Sequence, residues 1–232
     1  MMKRFALLAA AVLVSCTAVK AQDVEGGTKA KPPVEKPSRD FVMFQVTYDG
    51  WQKPDSVKTT GIGRGINAYI CYDFPIKKSN FSFAVGLGIG TSNIYLNNQE
   101  INVTDTAIKQ AIFQPESADY KKYKLTTAYL EAPFELRFFG NKDNRNKGFK
   151  AAVGLRAGTL LGAHTKAKNN ANKTVEKEST KQYLESWRVS ATARIGWGNF
   201  SLFGAYNLIN LYKEGSGPVI TPYSIGIALT GL

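Results

Sequence analysis

Apolar and polar positions alternate with a period of two through most of the chain, and one stretch shows what kind of strand this is. Along residues 81–91, Phe81, Phe83, Val85, Leu87 and Ile89 share one face of an extended segment, with Ser82, Ala84, Gly86, Gly88 and Gly90 on the other. A half-buried strand of a soluble protein would carry Lys, Glu or Thr on its second face. Three glycines and two small residues instead suit the crowded inside of a closed barrel of few strands, which turns the apolar face outward to lipid.

The same period predicts eight strands, at 41–48, 63–73, 81–94, 124–139, 149–164, 183–197, 200–208 and 222–232. In the fourth, Ala128, Leu130, Phe134, Leu136 and Phe138 oppose Tyr129, Glu131, Glu135 and Arg137. In the sixth, Trp187, Val189, Ala191, Ala193, Ile195 and Trp197 oppose Arg188, Ser190, Thr192, Arg194 and Gly196. Connections 49–62, 95–123, 165–182 and 209–221 are long, whereas 74–80, 140–148 and 198–199 are shorter. Long loops outside and short turns in the periplasm are the habit of outer-membrane barrels. Aromatic residues also gather at both ends of the apolar face, as two bilayer interfaces require: Phe74, Phe81 and Trp197 at one, Tyr48, Trp187 and Tyr223 at the other. The pattern therefore predicts an all-β, eight-stranded, antiparallel, up-and-down transmembrane β-barrel over 41–232, in the outer membrane, with its N-terminus in the periplasm.

The first 21 residues read as a signal peptide: a charged start with Lys3 and Arg4, an apolar run from Phe5 to Val14 too short to span a bilayer, and Val19, Lys20 and Ala21 before the cut. Cys16 lies in a setting that also resembles a lipidation signal. Residues 22–40, with three prolines and mixed charges, read as a flexible periplasmic leader. No later apolar run of about 18 residues offers a membrane helix. Without Lys3, Arg4 and Lys20 the 30 basic residues become 27 against 18 acidic ones, a mature charge of about +9. That balance fits an acidic partner such as outer-membrane lipid and lipopolysaccharide, and no nucleic-acid motif accompanies it. Cys71 alone survives in the mature chain, so no internal disulfide forms there.

Four stretches, GIGRGINAYICYDFP at 61–75, FSFAVGLGIG at 81–90, YLEAPFELRF at 129–138 and GPVITPYSIGIAL at 217–229, resemble the small outer-membrane β-barrel family of Bacteroidota, a broad group with PorT-like secretion components. The resemblance implies the fold and a non-enzymatic envelope role, with protein secretion one expectation. Its motifs are barrel-building patterns with no catalytic residue among them. The terminal Leu232, where outer-membrane barrels at large end on an aromatic residue, is a departure.

Charged residues on the inward face are the candidate chemistry. Glu131, Glu135 and Arg137 on the fourth strand, Arg156 on the fifth, and Arg188 and Arg194 on the sixth face one lumen. A turn centred near Arg145 and a loop centred near Lys173 put Glu131 beside Arg156, with Arg188 diagonal to it. A structural lumen ion network filling the barrel is the expected role, because an unpaired charge there is expensive. Paired carboxylates could act as acid and base, but no open cleft is implied.

His164, the one histidine, is the sole candidate for nucleophile activation in an outer-membrane lipid or peptide hydrolase, and its place at the rim reads as a solvated loop. A lone histidine does not build a metal site, and no cofactor is implied. Loop 165–182 sets five lysines against Glu176 and Glu178, a net +3, and suggests contact with lipid A phosphates. Loop 95–123, with a short helix expected over 105–113, is the place to look for a protein partner. Asp55-Ser56-Val57 and Asp105-Thr106-Ala107 resemble O-glycosylation patterns. The expected function is a non-enzymatic anchor or interaction protein, with the His164 hydrolase as the alternative; a soluble ligand carrier is disfavoured by the bare Gly/Ser face.

Overall fold

The computed structural model describes residues 42–77, 79–102, 110–141, 147–171, 173–179 and 181–231. The predicted signal segment, Cys16 and the leader lie outside them. Eleven strands follow in chain order: β1 Val42–Gln52, β2 Gly63–Pro75, β3 Phe81–Leu96, β4 Gln99–Asn102, β5 Ile112–Pro115, β6 Tyr120–Phe139, β7 Phe149–Asn169, β8 Val175–Ser179, β9 Trp187–Trp197, β10 Phe200–Asn207 and β11 Thr221–Thr230. Eight of them (β1, β2, β3, β6, β7, β9, β10, β11) pair antiparallel in that cyclic order, and β11 returns to β1 to close the wall. These are the eight strands that the alternation predicts.

Register sets the size of the barrel. Neighbours of Phe44 run one way through Ala68, Ile89, Leu130 and Thr159 to Trp187. The other way they run through Leu229 and Phe200 to Trp197. The two paths meet on β9 ten residues apart, from 187 to 197. A stagger of ten at ~3.3 Å per residue, over eight strands ~4.8 Å apart, tilts the strands about 40° and gives a backbone radius of roughly 8 Å. Side chains fill an interior of that width.

The two faces differ as lipid and lumen require. Val46, Ile66, Leu87, Val153, Ile195 and Ile227 come from six different strands and each is more than half exposed. An apolar belt so continuous belongs in lipid. On β6 it runs from Ala128 to Phe138, and ten steps at the tilt above give about 25 Å of height, the span of an outer-membrane hydrocarbon layer. Inward, Gln45, Asn67, Glu131, Arg137 and Arg156 are buried. The glycines of β3 serve close approach: a Cβ on Gly88 would lie 2.6 Å from the Tyr69 ring, and one on Gly90 would collide with the Glu131 carboxylate. The bare strand is the floor on which the lumen charges rest.

At the end carrying the long connections the wall continues past the belt and its pattern inverts. Leu96 of β3, Tyr123, Leu125 and Tyr129 of β6, and Leu160, Ala163 and Ala167 of β7 point inward and are buried. They pack with Val57, Ile101, Ala111, Tyr183, Leu184, Leu211, Tyr212 and Ile220, so all four long connections contribute to one apolar core. Backbone hydrogen bonds tie these connections together, Ala111 N to Ser216 O at 2.9 Å and Lys213 N to Tyr183 O at 3.0 Å among them. Outside the lipid the surroundings are water, and an ordinary apolar core replaces the polar lumen.

Several expectations are corrected here. The helix expected over 105–113 is not present in its described part: Ile112–Pro115 is a strand paired with Gln99–Asn102, and 105–109 lie outside the described residues. Loop 165–182 is largely a hairpin, because β7 runs on to Asn169 and pairs with β8. Tyr183 belongs to the apolar cap, and the sixth barrel strand begins at Trp187.

Candidate functional site

The lumen at the level of the lipid belt is organised on Glu131. Gly90 of β3 and Gly158 of β7 flank it and leave it room. Tyr69 Oη donates to Glu131 Oε2 at 2.5 Å, Arg156 Nη1 donates to the same oxygen at 3.3 Å, and Arg188 Nη2 donates to Oε1. Arg156 also donates through Nη2 to Gln45 Oε1 at 3.0 Å, and its guanidinium lies 4.9 Å from the Tyr69 ring centre and 5.1 Å from that of Phe203. Arg188 stacks 4.1 Å over Tyr129 at the boundary with the apolar cap. Cations held on aromatic faces and by a shared carboxylate need no water.

A second group lies nearer the short turns. Glu135 Oε2 accepts from Arg137 Nε at 2.8 Å and from Arg194 Nη2 at 2.9 Å. Asp73, which accepts from Ser82 Oγ at 2.6 Å, is 3.9 Å from Arg137 Nη1. Lys150 Nζ donates to Thr230 Oγ1 at 3.1 Å. The crevice between Glu131 and the cap, lined by Ile94, Leu125, Tyr129 and Arg188, holds about 20 Å³, room for roughly one water. The space enclosed by Arg137, Phe139, Lys150 and Arg194 holds none.

All six charges named from the sequence therefore meet in two adjacent groups. Their register differs from expectation: Glu131 stands opposite Gly158, with Arg188 next in that row, and it is Arg156 that lies diagonally. The strands pair about centres at 144.5 and 173, as expected for the turn and the loop, so the difference is a shift of the partner by two residues, which preserves the facing of every side chain. Tyr69, Gln45, Asn67, Asp73 and Lys150 join the network although no motif marks them. Their inward parity on β1, β2 and β7 was the available signal.

His164 lies within β7, half-buried and facing outward, rather than in a solvated loop. An extra residue at Leu161 causes this: Tyr129 pairs with Leu160 and Ala128 with Gly162, so the bulge reverses the facing of everything beyond it. Burial and the neighbouring Lys177, Lys124 and Lys166 lower the pKa of His164. Its cross-strand partners are Thr126 and Ser179. Glu176 and Glu178 stand opposite Ala167 and Thr165, on the inward side of the same hairpin. Ser56 is exposed, and the second glycosylation-like triplet, 105–107, lies outside the described residues.

Solved barrels that resemble this one include two from other bacteria. Ail, the attachment invasion locus protein of Yersinia pestis, crystallised with the heparin analogue sucrose octasulfate, is 14% identical over 81% of this chain and 95% of its own, with a TM-score of 0.39. Neisserial surface protein A is 12% identical over 82% of this chain and 95% of its own, with a TM-score of 0.34. No curated protein sequence matches the chain. Residues 39–213 match the family described as outer membrane protein beta-barrel domain, and the chain belongs to that family.

Proposed function

We propose that this protein is a non-enzymatic envelope barrel, a closed anchor whose N-terminus faces the periplasm and whose capped, long-loop end is presented at the cell surface to a partner. A role beside secretion machinery, as the resemblance to PorT-like barrels of Bacteroidota implies, is the form of this reading that the sequence favours. The observation that carries it is the double closure of the lumen, by ion pairs across the lipid belt and by an apolar core above it. A barrel sealed twice has no path for a solute, so its usable surface is outside. The signal-like start of the chain and the alternation of long and short connections support the orientation. The hairpin β4–β5 in connection 95–123, held to the first long connection by Gln99 Nε2 to Ser56 O at 2.8 Å, is an ordered surface for such a partner.

The hydrolase alternative gains no support from the geometry. His164 faces outward among lysines, and the carboxylates of its hairpin are on the opposite side. Two measurements test the proposal. Planar-bilayer recordings of refolded protein should show no steady single-channel steps, and protease added to intact cells should cut only within the long connections. Open-channel steps, or cleavage restricted to disrupted cells, would overturn it.

A further inference from the structure

We infer that the outward face of the β6–β7–β8 wall, immediately past the lipid belt, is a docking site for the phosphate groups of the outer-leaflet glycolipid. This rests on the orientation proposed above. Lys124, Lys166 and Lys177 stand directly opposite one another on three adjacent strands, and Lys122 pairs with Lys168 one row further out. Side chains so placed have Cβ atoms about 5 Å apart, and like charges directly opposite destabilise a sheet. Five lysines share this face, and no acidic residue alternates with them. The glutamates of β8 occupy the other side of the same strand.

Among the described residues nothing charged neutralises the row. Lys124 Nζ donates to the neutral Asn93 Oδ1 at 2.7 Å, and none of the five lysines forms an ion pair with a described carboxylate. Lys124 and His164 both have lowered pKa values, from burial first and then from the neighbouring lysines. Side chains held against mutual repulsion in this way form a preorganised site for a multivalent anion.

The position selects a lipid over a soluble anion. One row below the three lysines come Thr126, His164 and Ser179, and below those Ala128 and Leu161 begin the apolar belt. The lysines are thus four residues from Ala128, roughly 13 Å along the strand and about 10 Å along the membrane normal at the tilt above, at the level of the headgroups. Between them and the belt the wall has a notch, because β9 pairs with β7 only as far as Thr159 and β8 only from His164 onward. The Leu161 bulge and the missing side chain of Gly162 deepen the notch, an open depression of about 300 Å³ between the lysine row and the lipid face. A phosphorylated saccharide carrying acyl chains matches that sequence of surfaces: anion on the lysines, sugar in the notch, chains on the belt.

The test is retention of purified lipopolysaccharide by the full-length mature barrel in detergent micelles, with inorganic phosphate, enzymatically dephosphorylated lipopolysaccharide and phosphatidylglycerol as parallel probes. The variant Lys124→Gln/Lys166→Gln/Lys177→Gln is compared with Lys58→Gln/Lys147→Gln/Lys213→Gln, which removes the same charge elsewhere; heat-modifiable migration verifies the fold of both. Loss of the three facing lysines should weaken retention on the order of 100-fold. The charge-matched control should bind as wild type, and dephosphorylated lipid should behave like the variant. Wild-type retention by the lysine variant, or tight binding of dephosphorylated lipid, would overturn the site. Lysine-dependent binding of inorganic phosphate or phosphatidylglycerol as tight as that of lipopolysaccharide would overturn its assignment to the glycolipid. Micelles have no sides, so protein orientation is read separately: a long-loop end that proves periplasmic in the cell-protease test would overturn the outer-leaflet occupant, whatever binds in micelles.

Discussion

Glu131 is the residue on which the closed lumen depends most, and the substitution Glu131→Gln isolates that dependence. Its side chain is fully buried, and it serves two guanidiniums whose side chains are 5% and 15% exposed. The amide oxygen of the substituted side chain could still accept the Tyr69 hydroxyl, so shape and one hydrogen bond survive, but Arg156 and Arg188 would lose their common counter-charge. Breaking a buried pair by removing one partner costs about 3 to 5 kcal/mol. Arg156→Met should be milder, about 1 to 3 kcal/mol, because Glu131 keeps Arg188 and Tyr69 while Gln45 loses one donor. In the double variant Glu131→Gln/Arg156→Met one of the two stranded cations is gone, so the combined cost should fall short of the sum by at least roughly 1 kcal/mol. Urea unfolding of the four proteins refolded into the same vesicles, followed by tryptophan fluorescence and by maleimide labelling of the buried Cys71, measures each free energy by linear extrapolation. Additive effects, or a cost below about 1 kcal/mol for Glu131→Gln, would mean that water solvates the lumen charges and would refute the sealed-barrel reasoning.

Other outcomes follow from single side chains. Leu87→Arg, in the middle of the lipid-facing row of β3, should destabilise the barrel in lipid by about 2 to 4 kcal/mol, whereas Arg64→Leu beyond the belt should change little in the same vesicle assay. The Tyr212 hydroxyl is buried in the cap with no hydrogen-bond partner among the described residues, and its pKa is pushed up by that burial. Tyr212→Phe should therefore leave the cap as stable or raise its stability by up to about 1 kcal/mol, read from proteolysis rates of the long connections. His164 has its folded pKa lowered, so the unfolded chain binds more protons as pH drops below about 6.5. Compared with His164→Gln, the wild type should be equally protected from hydrogen exchange in β7–β8 at pH 8 and progressively less protected toward pH 5; an opposite trend would mean that an unseen acid faces the imidazole.

How far the chain could be read from its sequence differs between the belt and the end above it. Where lipid lies on one side and a lumen of roughly 8 Å radius on the other, each residue has one of two surroundings, so period-two alternation assigns every inward charge, including Glu131, Glu135, Arg137, Arg156, Arg188 and Arg194, to its face. The number of strands and the alternation of connection lengths follow from the same signal. Partners do not, because facing depends on odd and even while pairing depends on the exact register: a difference of two residues leaves Glu131 in the lumen and places Gly158 rather than Arg156 opposite it. Above the belt the outside is water, and the apolar side of β6 and β7 turns inward. Tyr123 and Leu125 sit on the same parity as Glu131, and Lys122 and Lys124 on that of Leu130, which the sequence did contain as a reversal of pattern along one strand. The facing of His164 and of the lysine row was beyond any local pattern. One extra residue at Leu161 sets it, and a bulge is decided by how β6 and β7 fit over their whole shared length. Sequence by itself determined which side chains meet lipid and which fill the lumen, because that choice is made residue by residue; which of them touch, and which cations line up on the rim, was settled only when eight strands had to close on one register.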